Sequence, residues 1–129
     1  KRLGFSDRVA FRGVLGRSEL AQQYYSADLF VLASRYEGYG MALAEALACG
    51  LPIVATCVGA IPVTVPSNAG LLARPDKSKA LTFALKRFFT EPRLRERLRA
   101  GARASRVRRR SWDVAVRGME TQVFGLFTK

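Results

Sequence analysis

Apolar residues in this chain fall into two kinds of stretch. Some form short continuous runs, and others recur every three or four positions. The continuous runs are Leu29-Phe30-Val31-Leu32, Ile53-Val54-Ala55 and Gly70-Leu71-Leu72-Ala73. Each is strand-length, and an unbroken apolar run fits a strand covered on both faces, as in a parallel sheet. Val9-Ala10-Phe11-Arg12, closed by Gly13, predicts a further short strand. The periodic stretches predict helices between and after the runs. Ser18 is placed to cap one whose apolar side is Leu20, Tyr24 and Tyr25. Met41 to Ala48 are good helix formers, Gly50 ends that helix and Pro52 prevents its continuation. Thr56 to Asn68, punctuated by Gly59, Pro62 and Pro66, predicts a loop. Pro75-Asp76 opens a helix from Lys77 to Phe89 with Leu81, Ala84, Leu85 and Phe88 on one face. Thr90-Glu91-Pro92 opens another that carries Leu94, Leu98 and Ala102, and Ser111 is placed to cap a last one with Trp112, Val116, Met119 and Val123. Strands alternating with helices at this spacing predict βαβ units. The fold class is therefore α/β: a parallel sheet flanked by helices, followed by two or three terminal helices.

The length of 129 residues suits one domain, residues 1–129, with a sizeable core. No apolar run reaches the ~18 residues of a membrane span. The N-terminus lacks the apolar centre of a signal peptide and a starting Met, which predicts that this is part of a longer chain. Cys49 and Cys57 are the only cysteines and there is no His. That excludes the usual zinc constellations and any Ser-His-Asp or Cys-His catalytic arrangement. Two cysteines fit reduced thiols in a cytoplasmic protein, both read as packing residues.

Charge divides the chain. Residues 1–64 carry six Lys/Arg against five Asp/Glu, and residues 65–129 carry sixteen against five, which together make the net +12. Nine arginines and one Glu lie between Arg93 and Arg110. Arg95, Arg99, Arg103 and Arg106 repeat at helical spacing and share a face. The first reading is a solvated arginine-rich helix. The second is attraction to an anionic membrane surface, which would place the protein peripherally on the inner face of a membrane. Nucleic acid is disfavoured as a partner, because no aromatic residue interleaves with the run and no nucleic-acid motif is present.

One stretch, Glu37 to Ala55, places polar, loop-forming and helix-starting residues between two apolar runs. In an open parallel sheet, ligands bind beyond the carboxyl ends of the strands. Gly38 and Gly40 remove side chains from such an end. The amides that begin the Met41 helix carry a partial positive charge suited to a phosphate. A carboxylate beside a phosphate makes sense as an acceptor for neutral hydroxyls, so Glu37, and Glu45 one turn deeper, are read in that role. On spacing alone, solvated glutamates and merely turn-forming glycines explain the stretch equally well.

The wider pattern carries a resemblance. Glu37-Gly38-Tyr39-Gly40, then Glu45-Ala46 and Gly50-Leu51-Pro52-Ile53-Val54-Ala55, with seven residues between the glutamates, resembles the signature of glycosyltransferase family 4, the group 1 glycosyltransferases. Val9 to Gly13, Tyr24 to Leu32 and Ser111-Trp112-Asp113 resemble further parts of the family, so the likeness covers nearly the whole chain. It implies a Rossmann-like sheet and the C-terminal, donor-binding domain of a GT-B fold enzyme. That domain would lack its first βα elements and the N-terminal acceptor domain, and would be inactive alone. It implies a retaining hexosyltransferase that uses a nucleotide-diphosphate sugar, in polysaccharide or glycolipid synthesis, with no metal and no cofactor. By resemblance Glu37 is the catalytic position at the donor sugar. Gly38, Tyr39, Gly40, Met41 and Ala42 lie against sugar and diphosphate, Glu45 holds the ribose, and Gly13 and Val14 lie near the base. Family members usually have Pro-Glu in the loop after the signature strand, whereas Pro62 is followed here by Val63. The readings that compete with the enzyme are a non-catalytic nucleotide-sugar-binding domain and a basic membrane-surface module.

Overall fold

A computed structural model describes Gly4 and residues 6–108. The element order is α1 (Arg17–Ser26), β1 (Phe30–Leu32), α2 (Met41–Ala48), β2 (Ile53–Thr56), α3 (Ile61–Thr64), β3 (Gly70–Ala73), α4 (Ser78–Thr90) and α5 (Pro92–Arg108). The three strands form one parallel sheet in the order β1-β2-β3, with Phe30 opposite Ile53 and Ile53 opposite Gly70.

All four residues of β2 are buried, as an apolar strand between two neighbours requires. Successive side chains point to opposite faces. Ile53 and Ala55 join Leu43, Leu47 and Ile61 on the side of α2 and α3. Val54 joins Ala84, Phe88, Leu94 and Leu98 on the side of α4 and α5. Ala102 of α5 reaches the first cluster, so this helix contributes to both layers.

Helix α2 ends as its sequence predicts. Gly50 is left-handed (φ 79°), its N–H donates to the Leu47 carbonyl at 3.0 Å, and the Leu51 N–H donates to Ala46 at 2.9 Å. These are the two bonds that close a helix over a C-terminal glycine. Pro52 then delivers the chain into β2. At the junction of α4 and α5, Arg87 pairs with Glu91 at 2.7 Å, and Pro92 takes the first helical position, where its missing N–H costs nothing.

Several expectations need correction. Val9 to Arg12 is not a strand, and Phe11 is 96% exposed. A four-residue alternation forms a strand only beside a partner, and no described strand flanks β1 opposite β2. For the same reason Val31, expected to be covered, is 43% exposed on an edge strand. Helix α1 starts at Arg17 rather than after Ser18. Its cap residue is Gly16, whose N–H donates to the Glu19 carboxylate at 2.9 Å. None of its residues is fully buried, and Tyr25 is exposed. The expected loop from Thr56 to Asn68 contains α3, because Pro62 falls in a first helical turn, where no amide is needed. Cys49 is half-buried, but Cys57 is exposed just past the carboxyl end of β2 and is not a packing residue. The helix expected after Ser111 lies outside the described residues. Among the described residues, no helix is long and apolar enough to cross a membrane.

Candidate functional site

The site forms where β1 leaves the sheet. The Thr56 hydroxyl donates to the Ser34 carbonyl and ties the carboxyl ends of β1 and β2 together. The loop Tyr36 to Gly40 follows and is fastened twice. The Ala60 N–H donates to the Glu37 carbonyl at 3.0 Å. The Gly40 N–H donates to Glu37 Oε1 at 2.9 Å. The second bond fixes the Glu37 carboxylate by one oxygen and leaves Oε2 with free acceptor capacity.

Gly40 caps α2 in a left-handed conformation (φ 74°) and is buried. A Cβ there would meet Leu43 and the Thr64 hydroxyl at 3.3 Å. Thr64 is itself anchored to the Ala60 carbonyl at 2.9 Å, so α3 braces the start of α2. The first bond of α2 runs from the Ala44 N–H to the Gly40 carbonyl at 2.9 Å. The Met41, Ala42 and Leu43 amides precede it and lack helical partners. Gly38, Tyr39 and Met41 are exposed beside them.

Glu45 lies one turn beyond Met41 on the same face. Its Oε2 accepts the Tyr24 hydroxyl at 3.1 Å. Tyr24 comes from α1, and its ring packs against Phe30 of β1 with centroids 5.9 Å apart. Burial, then the hydrogen bond to Glu45 and the negative charge of Glu45, push the Tyr24 hydroxyl up to about 12. A raised folded pKa gives stability that is complete below the unfolded tyrosine value and is lost as pH rises through the folded one. Thermal stability should therefore fall between about pH 10 and 12, and Tyr24→Phe should flatten that fall. A melting-temperature series across this window checks it; equal slopes for both proteins would count against it.

The structure thus gathers Glu37, Gly38, Tyr39, Gly40, Met41, Ala42 and Glu45 around the start of α2. Two carboxylates flank a set of outward amides, an arrangement able to hold an anion between hydroxyl-bearing groups. Gly13 and Val14 are not brought into this group. Val14 is fully exposed, and nothing lies within 4 Å of a Cβ built on Gly13. Among the described residues, no three His, Cys, Asp or Glu side chains group as metal ligands.

Two participants were not read as such from the sequence. Tyr24 looked like part of an apolar helix side; its signal is the hydroxyl, which seeks a partner when the ring is partly buried. Gly59 looked like punctuation, and no local signal shows that it touches Glu37. The arginines of α5 are less free than their spacing implied. Arg95 donates to the Phe89 carbonyl at 3.2 Å, Arg99 to Asp28 at 2.6 Å, and Arg103 faces Glu96 at 3.8 Å. Arg106 lies 5.9 Å from the centre of the Tyr25 ring.

Comparison with known proteins accords with this architecture. The family model described as "Glycosyl transferases group 1" matches residues 1–105. A D-inositol 3-phosphate glycosyltransferase from Actinosynnema mirum is 40% identical over 112 residues, covering 86% of this chain and 27% of that protein. A mannosylfructose-phosphate synthase from Agrobacterium fabrum is 40% identical over 108 residues, covering 82% and 24%. Among solved structures, sucrose-phosphate synthase from Thermosynechococcus elongatus superimposes with a TM-score of 0.80 at 33% identity, over 95% of this chain and 31% of that one. The C-terminal domain of a group 1 glycosyl transferase family protein from Francisella tularensis gives 0.60 at 27%, over 76% and 48%. The chain spans about a quarter of the length of these two curated relatives. With its partial Rossmann-like sheet, its likeness to a GT-B structure and the match over residues 1–105, the chain belongs to the group 1 glycosyltransferases.

Proposed function

We propose that this chain is the donor-binding part of a retaining glycosyltransferase that moves a hexosyl group from a nucleotide-diphosphate sugar to an acceptor. The observation that carries this reading is the placement of Glu37 and Glu45 on either side of the open amides of α2. Those amides meet the diphosphate, with the backbone from Gly38 to Ala42 alongside it. Glu37 Oε2, the oxygen not used by Gly40, accepts from the donor-sugar hydroxyls near the reacting carbon. Glu45 accepts from the ribose. The amides stabilise the charge that develops on the departing diphosphate, and preorganised donors do this without reorientation. Gly13 and Val14, as neighbours of the base, form no wall by themselves; the donor or other parts of the protein would complete it.

The acceptor half of the cleft and the first βα elements of this domain belong, in this reading, to the rest of a longer protein. The relatives' names carry D-inositol 3-phosphate, mannosylfructose-phosphate and sucrose-phosphate. A small phosphorylated polyol or sugar is therefore the acceptor class we favour over a polysaccharide or glycolipid. The protein would act in the cytoplasm, and any attraction to an anionic membrane surface would rest on arginines of α5 that also have partners within the chain.

The test is turnover of UDP-, GDP- and ADP-sugars by the full-length protein, with the anomeric configuration of the product read by NMR. Glu37→Gln keeps an acceptor for Gly40 but removes the charge, and should lower kcat by ~10²-fold. Glu45→Gln should raise the donor KM by ~10-fold, the loss of one charged hydrogen bond. Transfer unchanged in both variants, or inversion at the anomeric carbon, would overturn the reading.

A further inference from the structure

We propose that Tyr24 is a positioning residue that fixes the Glu45 carboxylate to receive a vicinal diol, and thereby makes the site prefer ribonucleotide over 2′-deoxyribonucleotide ligands. This rests on the reading of Glu45 as the ribose acceptor.

Glu45 is exposed on α2, and a free glutamate there would spread over many rotamers. Among the described residues its one side-chain hydrogen bond comes from Tyr24, at 3.1 Å, and no Lys or Arg forms an ion pair with it. The partner is thus neutral. A cation would fix the carboxylate too, but would also compete for the acceptor strength that a diol needs. A phenol takes one lone-pair direction of Oε2 and leaves Oε1 and the net charge available.

Tyr24 can hold a direction because it is itself held. It lies 21 positions away in sequence, on a different helix, with its ring tilted 44° against Phe30 of the sheet edge. The chain of contacts runs from β1 through Phe30 and Tyr24 to Glu45, from the sheet to the acceptor. The hydroxyl keeps its proton throughout the working pH range, so it donates and the carboxylate accepts. A carboxylate oriented this way gains from two adjacent hydroxyls, and a ligand lacking one leaves part of its acceptor capacity unmet.

The experiment measures dissociation constants by calorimetry on the full-length protein. It uses UDP, GDP and ADP, each against its 2′-deoxy form, and follows whichever pair binds most tightly. The proteins are wild type, Tyr24→Phe, Glu45→Gln and the double variant. Tyr24→Phe keeps the ring on Phe30, so the fold is preserved. It should weaken the ribonucleotide ~5-fold, the size of one hydrogen bond, and leave the 2′-deoxy ligand within twofold of wild type. It should raise donor KM more than it lowers kcat, and have no further effect when Glu45 is already Gln. Equal weakening of both ligands would show a general structural role and overturn the proposal. So would no weakening of either by Tyr24→Phe while Glu45→Gln weakens the ribonucleotide more than its 2′-deoxy form. If Glu45→Gln weakens the ribonucleotide and its 2′-deoxy form equally, the ribose reading of Glu45 falls, and the role of Tyr24 falls with it.

Discussion

Gly59→Ala should cost the full-length protein ~10²-fold in kcat while leaving it folded, because displacing a reacting group by about 1 Å has that effect. A Cβ on Gly59 would collide with the Glu37 carbonyl oxygen. It would also stand 3.0 Å from the Glu37 carbonyl carbon and 3.3 Å from its nitrogen. Backbone on both sides cannot swing away as a side chain would. Gly59 is also left-handed (φ 50°), which costs an L-residue ~1–2 kcal/mol. Relief comes only from separating the two loops, and that breaks the bond from the Ala60 N–H to Glu37. The loss should concentrate in kcat, since Glu45 hangs from α2 and Tyr24 rather than from this loop. Gly16→Ala, at the start of α1 and outside the site, is the control: its Cβ would meet only the Glu19 carboxylate, at 3.4 Å. Steady-state kinetics with a melting curve for each variant decide the matter. Wild-type kcat in Gly59→Ala would show that the loops can part without moving Glu37.

Phe88→Ala should have the largest effect on stability, ~3–5 kcal/mol, the range for emptying a buried aromatic site. Phe88 is fully buried and meets Phe89 edge-on, with centroids 5.3 Å apart. It packs with Val54 of β2, Ala73 of β3, and Leu94 and Leu98 of α5. It therefore joins the sheet to both long helices, and no neighbouring side chain is free to fill the space. Against a total of ~5–15 kcal/mol such a loss leaves a marginal fold. Urea unfolding should show a lower midpoint at an unchanged slope. Phe89→Ala, at a residue 61% exposed, should cost under ~1 kcal/mol. A Phe88→Ala cost as small as that would mean that the α4 layer collapses onto the cavity.

These two positions differ in how far the sequence exposes their importance. Phe88 shares a helical face with Leu81, Ala84 and Leu85, and that stripe alone marks it as core. Gly59 sits in a stretch read as loop, and nothing near it signals a neighbour 22 positions away. The strand predicted at Val9 to Arg12 failed for a related reason: alternation shows a capacity to pair, while pairing needs a second strand at the right edge. Ser18 was a reasonable cap by type, but Glu19 reaches back to Gly16 one turn earlier. In the α3 stretch the position of Pro62 was legible; its place inside a first turn depended on where the chain had to go between Gly59 and Val65.

What the sequence by itself determined is what local chemistry can decide. The three strands, the stop of α2 at Gly50, the core stripes of α4 and α5, and the family signature from Glu37 to Ala55 all rest on residues near one another along the chain. What only the tertiary structure decided is which distant groups meet. Glu37 is pinned by Gly59 and Ala60, Glu45 by Tyr24 across 21 positions, and the arginines of α5 by partners as far away as Asp28. Periodicity and capping are energies of neighbouring residues, so they are written along the chain. The pairing of distant side chains follows from how the layers pack around β2, and no stretch of sequence states it alone.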